Sequence, residues 1–428
     1  MTTPAPAPVP APGPARDPAS NPASNPAHTA EDFDVTADWH VADPYPFLRR
    51  LRREQPVFWS DHLRMWVLTR YDDVRGAYRD HTRFSSVGSL TLSRTLTDEV
   101  KEMLGEHRSF LDDFAANLDP PRHTTIRRAI SRAFTPRAVE RLGDAFRTQV
   151  DAAVDAVLPA GRADFVADLA HPPSARLAAA FIGVPPEDGQ RVKRWVRSWF
   201  QLFLSPQPPD RQRELARDFL GYLDYLDRLV AERRAEPRDD FVSLLAGLVP
   251  HVLSHREVVE TISALLLGGN DTVPNGLSNA LYRLLRERRG WEALLDDPSL
   301  IPGMVEETLR IDGASLGSFR TAAADVTLHG VTIPAGAQVL LHADSAGHDE
   351  TVFPDPERFD IRRANARDHL VFGYGVHHCV GAALSRLTMR IAFERLTARL
   401  PGLRLPPQRV AYHRSLVGRG LTALQVEW

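Results

Sequence analysis

The sequence predicts a mainly α-helical protein with small antiparallel β-sheets, an α+β fold class, and three observations carry that reading. Val258 to Leu285 is a long, mainly apolar run, as a buried central helix requires. Leu215, Phe219, Tyr222, Leu226 and Leu229 recur at helical spacing with charges on the opposite face, which marks an amphipathic helix. Strand signals are few and short, chiefly Val57-Phe58-Trp59, Met65-Trp66-Val67-Leu68 and two segments around Gly330.

Residues 1–29 are Pro, Ala, Ser, Asn and Thr with almost nothing to bury. Such a segment cannot offset its ordering entropy, so a disordered tail is expected, followed by one domain over 30–428. Pro46 to Arg53 reads as a short helix, the two strands flank the turn Ser60-Asp61-His62, and Asp72 to Arg79 starts another helix. Residues 86–118 have no clean period and read as loops with a short helix. Ala138 to Gln190 reads as helices that supply core. Arg191 to Leu204 is a helix carrying Trp195, Trp199, Phe200 and Phe203, an aromatic stripe that reads first as core. Pro206, Pro208 and Pro209 then force a loop before the amphipathic helix, and Glu232 to Asp240 is a charged exit. Val326 to His329 and Val331 to Ile333 flank Gly330 as a hairpin. Pro334-Ala335-Gly336 turns into the strand Gln338 to His342, and Gly418 to Leu424 reads as a final hairpin.

Composition bounds the function. Hydrophobic residues make up 43% of 428, ample for a sizeable core, and a formal net charge of −3 argues against bulk nucleic-acid binding. No run of about 18 apolar residues occurs, so no membrane span is expected. The N-terminus lacks the basic-then-apolar order of a signal peptide. A single cysteine excludes an internal disulfide and fits a reducing cytoplasm.

That cysteine sits in Phe372-Gly373-Tyr374-Gly375-Val376-His377-His378-Cys379-Val380-Gly381. Val380, Leu384, Leu387 and Ile391 carry a helix onward, so Cys379 lies at or just before a helix N-terminus. Unpaired N–H groups and the positive end of the helix dipole there favour a thiolate, the form that ligates metals. Gly373 and Gly375 remove Cβ atoms where the backbone turns sharply or lies against a flat ligand. A lone cysteine is most often a small buried hydrophobe. A structural zinc site wants more ligands at fixed spacings, and a Cys–His nucleophile needs its base close in space.

The whole pattern, Phe-x-x-Gly-x-His-x-Cys-x-Gly, resembles the heme-binding loop of the cytochrome P-450 monooxygenases. By that resemblance the fold is the cytochrome P-450 fold, Cys379 is the axial ligand of a heme iron, and Phe372 and Gly375 pack on the heme. Three further segments resemble the same family. Asp119-Pro120-Pro121-Arg122-His123 through Arg127 puts His123 and Arg127 four apart on one helical face. Alone it would be a solvated basic patch; in the family these side chains bond a heme propionate. Arg320 and His377 match positions given the same task, whereas His378 has no assigned role and reads as structural.

Gly268-Gly269-Asn270-Asp271-Thr272-Val273-Pro274 falls inside the long apolar helix. Two glycines and a proline there should cost several kcal/mol, at about 1 for each Gly and about 3 for Pro. A widened or kinked turn is expected, or else a helix break with two loops. The stretch resembles the family's Gly-Gly-x-Asp/Glu-Thr segment over the distal face of the heme. Carried over, Gly268 allows close approach, Thr272 hydrogen-bonds dioxygen and Asp271 relays protons. Val273 and Pro274 depart from the Thr or Ser that many members carry after that Thr.

Glu307 and Arg310 share a helical face. With Pro356-Glu357-Arg358-Phe359 they resemble the family's buried triad, so Glu307, Arg310 and Arg358 are expected to lock the cysteine loop. Ala346-Gly347-His348-Asp349 departs from the family's usual Ala-Asn-Arg-Asp.

The resemblance implies heme b, O2 as co-substrate, and insertion of one oxygen atom into a small, largely apolar substrate by hydroxylation or epoxidation. A bacterial secondary-metabolite intermediate is the expected substrate. Ferredoxin and ferredoxin reductase are expected to supply electrons to a cytoplasmic monomer. Arg127, Arg128, Arg132, Arg386 and Arg390 are candidates for a basic docking face, beside the plainer reading of scattered surface arginines. Two alternatives remain: oxidative coupling or ring formation without oxygen insertion, and a non-catalytic heme-thiolate sensor.

Overall fold

The computed structural model describes residues 28–89, 96–110, 114–204 and 207–428. The tail expected over 1–29 therefore lies outside the described residues except for His28 and Thr29, as does Pro206 of the expected loop.

Helix dominates, as the apolar periodicity requires. The N-terminal part holds α1 (Asp38–Ala42), α2 (Tyr45–Glu54), α3 (Tyr71–Arg79) and α4 (Asp98–Leu104). The helical body follows with α5 (Arg122–Ser131), α6 (Pro136–Val157), α7 (His171–Ile182), α8 (Gly189–Leu204), α9 (Pro209–Ala235), α10 (Phe241–Ala246) and α11 (His255–Arg286). Behind it come α12 (Arg289–Asp296), α13 (Ile301–Ile311), the short buried α14 (Ala343–Gly347) and α15 (Ala382–Arg399).

The strands are β1 (Val57–Ser60), β2 (Met65–Leu68), β3 (Phe84–Ser85), β4 (Arg162–Asp164), β5 (Ser318–Ala322), β6 (Val326–Leu328), β7 (Val331–Ile333), β8 (Gln338–Leu341) and β9 (Gln425–Glu427). Five of them form one sheet in the order β1-β2-β8-β5-β3. Its pairs are antiparallel except β2 with β8, which runs parallel in the register Trp66 to Val339. No hairpin joins those two strands, so nothing local dictates their direction. The β6–β7 hairpin turns at His329 and Gly330, both with positive φ (50° and 78°), as a tight two-residue turn demands. The expected final hairpin takes another form: Tyr412 bridges Leu421, while β9 crosses to pair with β4.

Helix α11 runs without a break through Pro274, so the two-loop alternative is excluded. Ser254 caps it reciprocally with Glu257: the Ser254 hydroxyl accepts from the Glu257 amide at 3.1 Å, and the Glu257 carboxylate accepts from the Ser254 amide at 2.7 Å. Two apolar cores grip its ends. Val258, Ile262 and Leu267 belong to a cluster with α8, α9 and α10, whereas Leu277, Leu281 and Leu285 belong to one with α6, α7, α13 and α15. The glycine-to-proline stretch lies between these two grips.

The Ala346-Gly347-His348 departure is fully used. Gly347 packs so close to α13 that an added Cβ would sit 2.4 Å from the Arg310 carbonyl oxygen. His348 stacks on Tyr45 with ring centres 3.9 Å apart, and its Nε2 lies 2.9 Å from the Ile311 carbonyl. Gly347→Ala is expected to lower stability by about 1–3 kcal/mol through overpacking. Gly76→Ala, on α3 where nothing lies within 4 Å of the new methyl, should raise it by about 0.5–1 kcal/mol. Urea midpoints of the two variants check the pair.

Candidate active site

The cysteine loop adopts the turn its glycines allow. Gly373 and Gly375 have φ of 68° and 74°, and a Cβ on Gly375 would lie 2.8 Å from the Tyr78 carbonyl. The Cys379 amide donates to the Phe372 carbonyl at 2.8 Å, and α15 begins three residues later at Ala382. The side chain of Cys379 stays accessible. Burial in the loop pushes its thiol pKa up; the amides of Gly381 and Ala382 and the charges of Arg127 and Arg386 pull the other way without prevailing. A cation at this accessible sulfur would favour the thiolate expected from the helix N-terminus.

Gly268, Asp271, Thr272, Arg320 and His377 line one cavity of about 850 Å³. Within the interior of α11, Gly268 and Thr272 are the exposed positions, one turn apart, the other being Arg286 at the helix end. Nothing lies within 4 Å of the place a Cβ would occupy on Gly268. The Thr272 hydroxyl donates to the Gly268 carbonyl at 2.7 Å. Beside it, burial raises the Asp271 carboxyl pKa, against the opposing charges of His413, Arg197 and Lys193.

At the other end of the cavity positive charge accumulates. His123 and Arg127 line an adjoining cleft of about 450 Å³, and the His123 and His377 rings lie 4.1 Å apart. Arg320 is 4% exposed and hydrogen-bonds the Phe319 carbonyl at 2.6 Å, yet no carboxylate pairs with it among the described residues. Arg127 donates only to the His378 carbonyl, at 2.6 Å. His123 Nδ1 is buried with no partner. Burial and then the charges of Arg320, His123 and Arg127 drive the His377 pKa down to about 3. Such mutual repulsion in a partly desolvated place is relieved by an anion, and planar guanidinium donors suit a carboxylate. The basic end, the open face of Gly268 and an accessible cysteine behind a glycine turn together fit a flat, carboxylate-bearing metal macrocycle. Phe372 serves the loop from behind, its ring beneath the Arg386 guanidinium at 4.7 Å.

Of the three residues expected to form the lock, two meet and the third is replaced. Glu307 is fully buried and takes two hydrogen bonds of 2.8 Å from Arg310. Its second guanidinium comes from Arg363, at 3.1 Å, and not from Arg358, whose side chain is exposed and which contributes only its carbonyl to Arg310 and Arg363. The Pro-Glu-Arg-Phe segment turns its arginine outward, and the chain returns five residues later. The Asp360 amide adds a further bond to Glu307 at 2.9 Å.

Sequence reasoning missed a second anchor. Glu306 accepts from Arg386 at 2.7 and 3.1 Å and meets His369 Nε2 at 3.2 Å. Arg386 is therefore committed to Glu306, whereas Arg390 makes only an exposed pair with Glu394 at 3.5 Å. Arg127, Arg128 and Arg132 stand together with Val376 at the cleft. The adjacent acids Glu306 and Glu307 were the available signal: two carboxylates on one buried helix demand two sets of cations.

The cytochrome P-450 family profile matches residues 294–400. The chain is 36% identical over 400 residues to the cytochrome P-450 monooxygenase PikC of Streptomyces venezuelae, covering 91% of this chain and 92% of that one. It is 36% identical over 373 residues to the mycinamicin IV hydroxylase/epoxidase of Micromonospora griseorubida, covering 85% and 89%. The crystal structure of the Tepidiphilus thermophilus P-450 heme domain superposes with a TM-score of 0.86 at 32% identity, covering 93% and 97%.

Glu306 makes a pH prediction. Burial would raise its pKa, but the hydrogen bonds from His369 and Arg386 outweigh burial and hold it at about 2, below the ordinary 4.5. A group with a depressed folded pKa adds stability above its unfolded value and loses it as pH falls toward the folded one. The urea midpoint of wild type should therefore drop further than that of Glu306→Gln between about pH 5 and about pH 3, so that the two curves converge in acid.

Proposed function

Since the chain belongs to the cytochrome P-450 family of monooxygenases, which use heme iron and O2, we propose that Cys379 is the axial ligand of heme b here. The observation that carries this reading is the basic end of the cavity: His123, Arg127, Arg320 and His377 converge, and among the described residues no carboxylate forms an ion pair with any of them, Asp119 reaching His123 and Arg320 only through its longer-range charge. These four side chains would hold two propionates, whose charge they lack. Gly268 admits the macrocycle against α11, and Gly375 and Phe372 shape the loop that carries the thiolate. The Glu307–Arg310–Arg363 and Glu306–Arg386 anchors hold that loop in place.

The heme, once bound, activates O2 with the electron donation a thiolate ligand gives. The rest falls to the protein's own side chains. The Thr272 hydroxyl lines the cavity and donates to the Gly268 carbonyl, and it would turn to donate toward a partner in the filled site. Asp271, with its raised pKa, holds a proton closer to neutrality than an exposed aspartate would and hands it on through Thr272. Apolar walls from Trp199, Phe200, Ala264 and Leu267 orient a substrate and exclude water. The name of the mycinamicin IV hydroxylase/epoxidase supports hydroxylation or epoxidation as the reaction, and a secondary metabolite as its object. Ferredoxin and ferredoxin reductase are the electron donors in this reading, with Arg128 and Arg132 at the docking face of a cytoplasmic monomer. No described helix is long and apolar enough to cross a membrane.

Reduced protein under carbon monoxide should show the absorption band of sulfur-ligated ferrous heme, and Cys379→Ala should abolish it; a wild-type spectrum without that band refutes the assignment. Thr272→Ala should consume NAD(P)H at a comparable rate while most electrons leave as hydrogen peroxide. Undiminished product per NAD(P)H in that variant refutes the proton route.

A further inference from the structure

Resting on the heme-thiolate reading above, we propose that the substrate carries an acidic group, a carboxylate or a phosphate monoester on an apolar skeleton, held by Lys193 and Arg197 of α8. The sequence of α8 holds four cations (Arg191, Lys193, Arg194, Arg197) and no acid. Arg191 is satisfied by Asp188 at 2.7 Å. Lys193 and Arg197 lie one turn apart on the same face, where like charges repel. Neither has an ion pair among the described residues, and both line the cavity that holds Thr272.

The charge count of that cavity is unbalanced. Its lining contains Lys193, Arg197, Arg320 and Arg414 against one carboxylate, Asp271. Arg320 belongs to the basic end already described, and Arg414 pairs with Asp38. Two free cations then face one acid whose own pKa is raised by burial, so it is an incomplete counter-charge. His171 shows the same excess: burial, then Lys193, His413 and Arg197, drive its pKa down to about 4, and its Nδ1 has no partner.

A site for a purely apolar substrate has no use for two unpaired cations on its wall, and half-buried Lys193 carries a desolvation cost there. An acidic substrate offsets that cost and is oriented by it: the anion is fixed at α8 and the apolar skeleton runs along Phe200 and Leu267 toward Thr272. The competing explanation is that the two bases serve only to keep Asp271 charged. It predicts no preference between acidic and neutral ligands.

The test compares matched ligands on the holoprotein by calorimetry and by the Soret spin shift: 4-phenylbutanoate, 4-phenylbutanamide and 4-phenylbutyl phosphate, with dodecanoate and dodecanamide as a second frame. At least one acid should bind about tenfold or more tightly than its amide, and the preference should shrink at high salt. It should vanish in the Lys193→Gln/Arg197→Gln double variant and persist in Lys193→Arg. A carboxylate or phosphate preference of this kind identifies which acid is recognised. Equal binding of acid and amide, no binding of any acid, or a preference that survives in the double variant overturns the proposal. The carbon monoxide band is recorded on every sample: its absence from wild type defeats the heme-thiolate reading, whereas its presence without acid preference defeats only this inference.

Discussion

Two neighbouring carboxylates on α13, Glu306 and Glu307, fix the half of the molecule that carries the cysteine. Burying a carboxylate is costly, and each of these offsets the cost by gathering guanidinium groups from distant parts of the chain. Glu307 draws in Arg363 and the Asp360 amide, while Glu306 draws in Arg386 from α15 and His369 from the segment before the loop. The loop from Phe372 to Gly381 is thereby strung between His369 and Arg386, two residues that meet on one acid. A loop with two left-handed glycines has many conformations open to it; tying both ends to a rigid buried helix leaves few.

The same reasoning with the sign reversed describes the cavity. Around Glu306 and Glu307 the protein matches charge with charge. Around His123, Arg127, Arg320 and His377, and again at Lys193 and Arg197, positive charge outnumbers negative. The Asp119 carboxylate reaches His123 and Arg320 through its charge without forming an ion pair with either, and Asp271 stands in the same relation to Lys193 and Arg197. In the readings proposed above, ligands that bring their own negative charge complete the balance at each place.

Much of this was legible from residue order, because the informative segments are short and local. The Gly-x-Gly turn before Cys379, the i,i+4 pair of His123 and Arg127, and the i,i+3 pair of Glu307 and Arg310 depend only on spacing. The hairpin at Gly330 and the amphipathic α9 are local in the same sense. What could not be read was decided by chain return. Arg363 displaces Arg358 because the segment after α14 turns once more before reaching α13. The parallel β2–β8 pair joins strands some 270 residues apart, and no periodicity encodes that meeting. The helix was read by its aromatic face alone, and only the placement of α8 along the cavity shows that Lys193 and Arg197 line it.

Helix α11 shows how a local violation is tolerated where function needs it. Two glycines and a proline would unsettle an isolated helix, yet this one stays unbroken because apolar clusters clamp it on both sides, Leu267 ending one and Leu277 opening the other. Between the clamps, Pro274 has no N–H to offer the Asn270 carbonyl, and Gly268 presents no side chain to the cavity. The Thr272 hydroxyl therefore rests on a single bond to the Gly268 carbonyl, which is already the acceptor for that turn. A neutral hydrogen bond of this kind contributes about 1 kcal/mol net, so a distal ligand that offers a better partner can take the hydroxyl over without disturbing the helix. The stiffness of the flanks and the looseness of one hydroxyl are two consequences of the same arrangement, and the proton route proposed for Thr272 draws on both: a fixed origin and a cheap rotation.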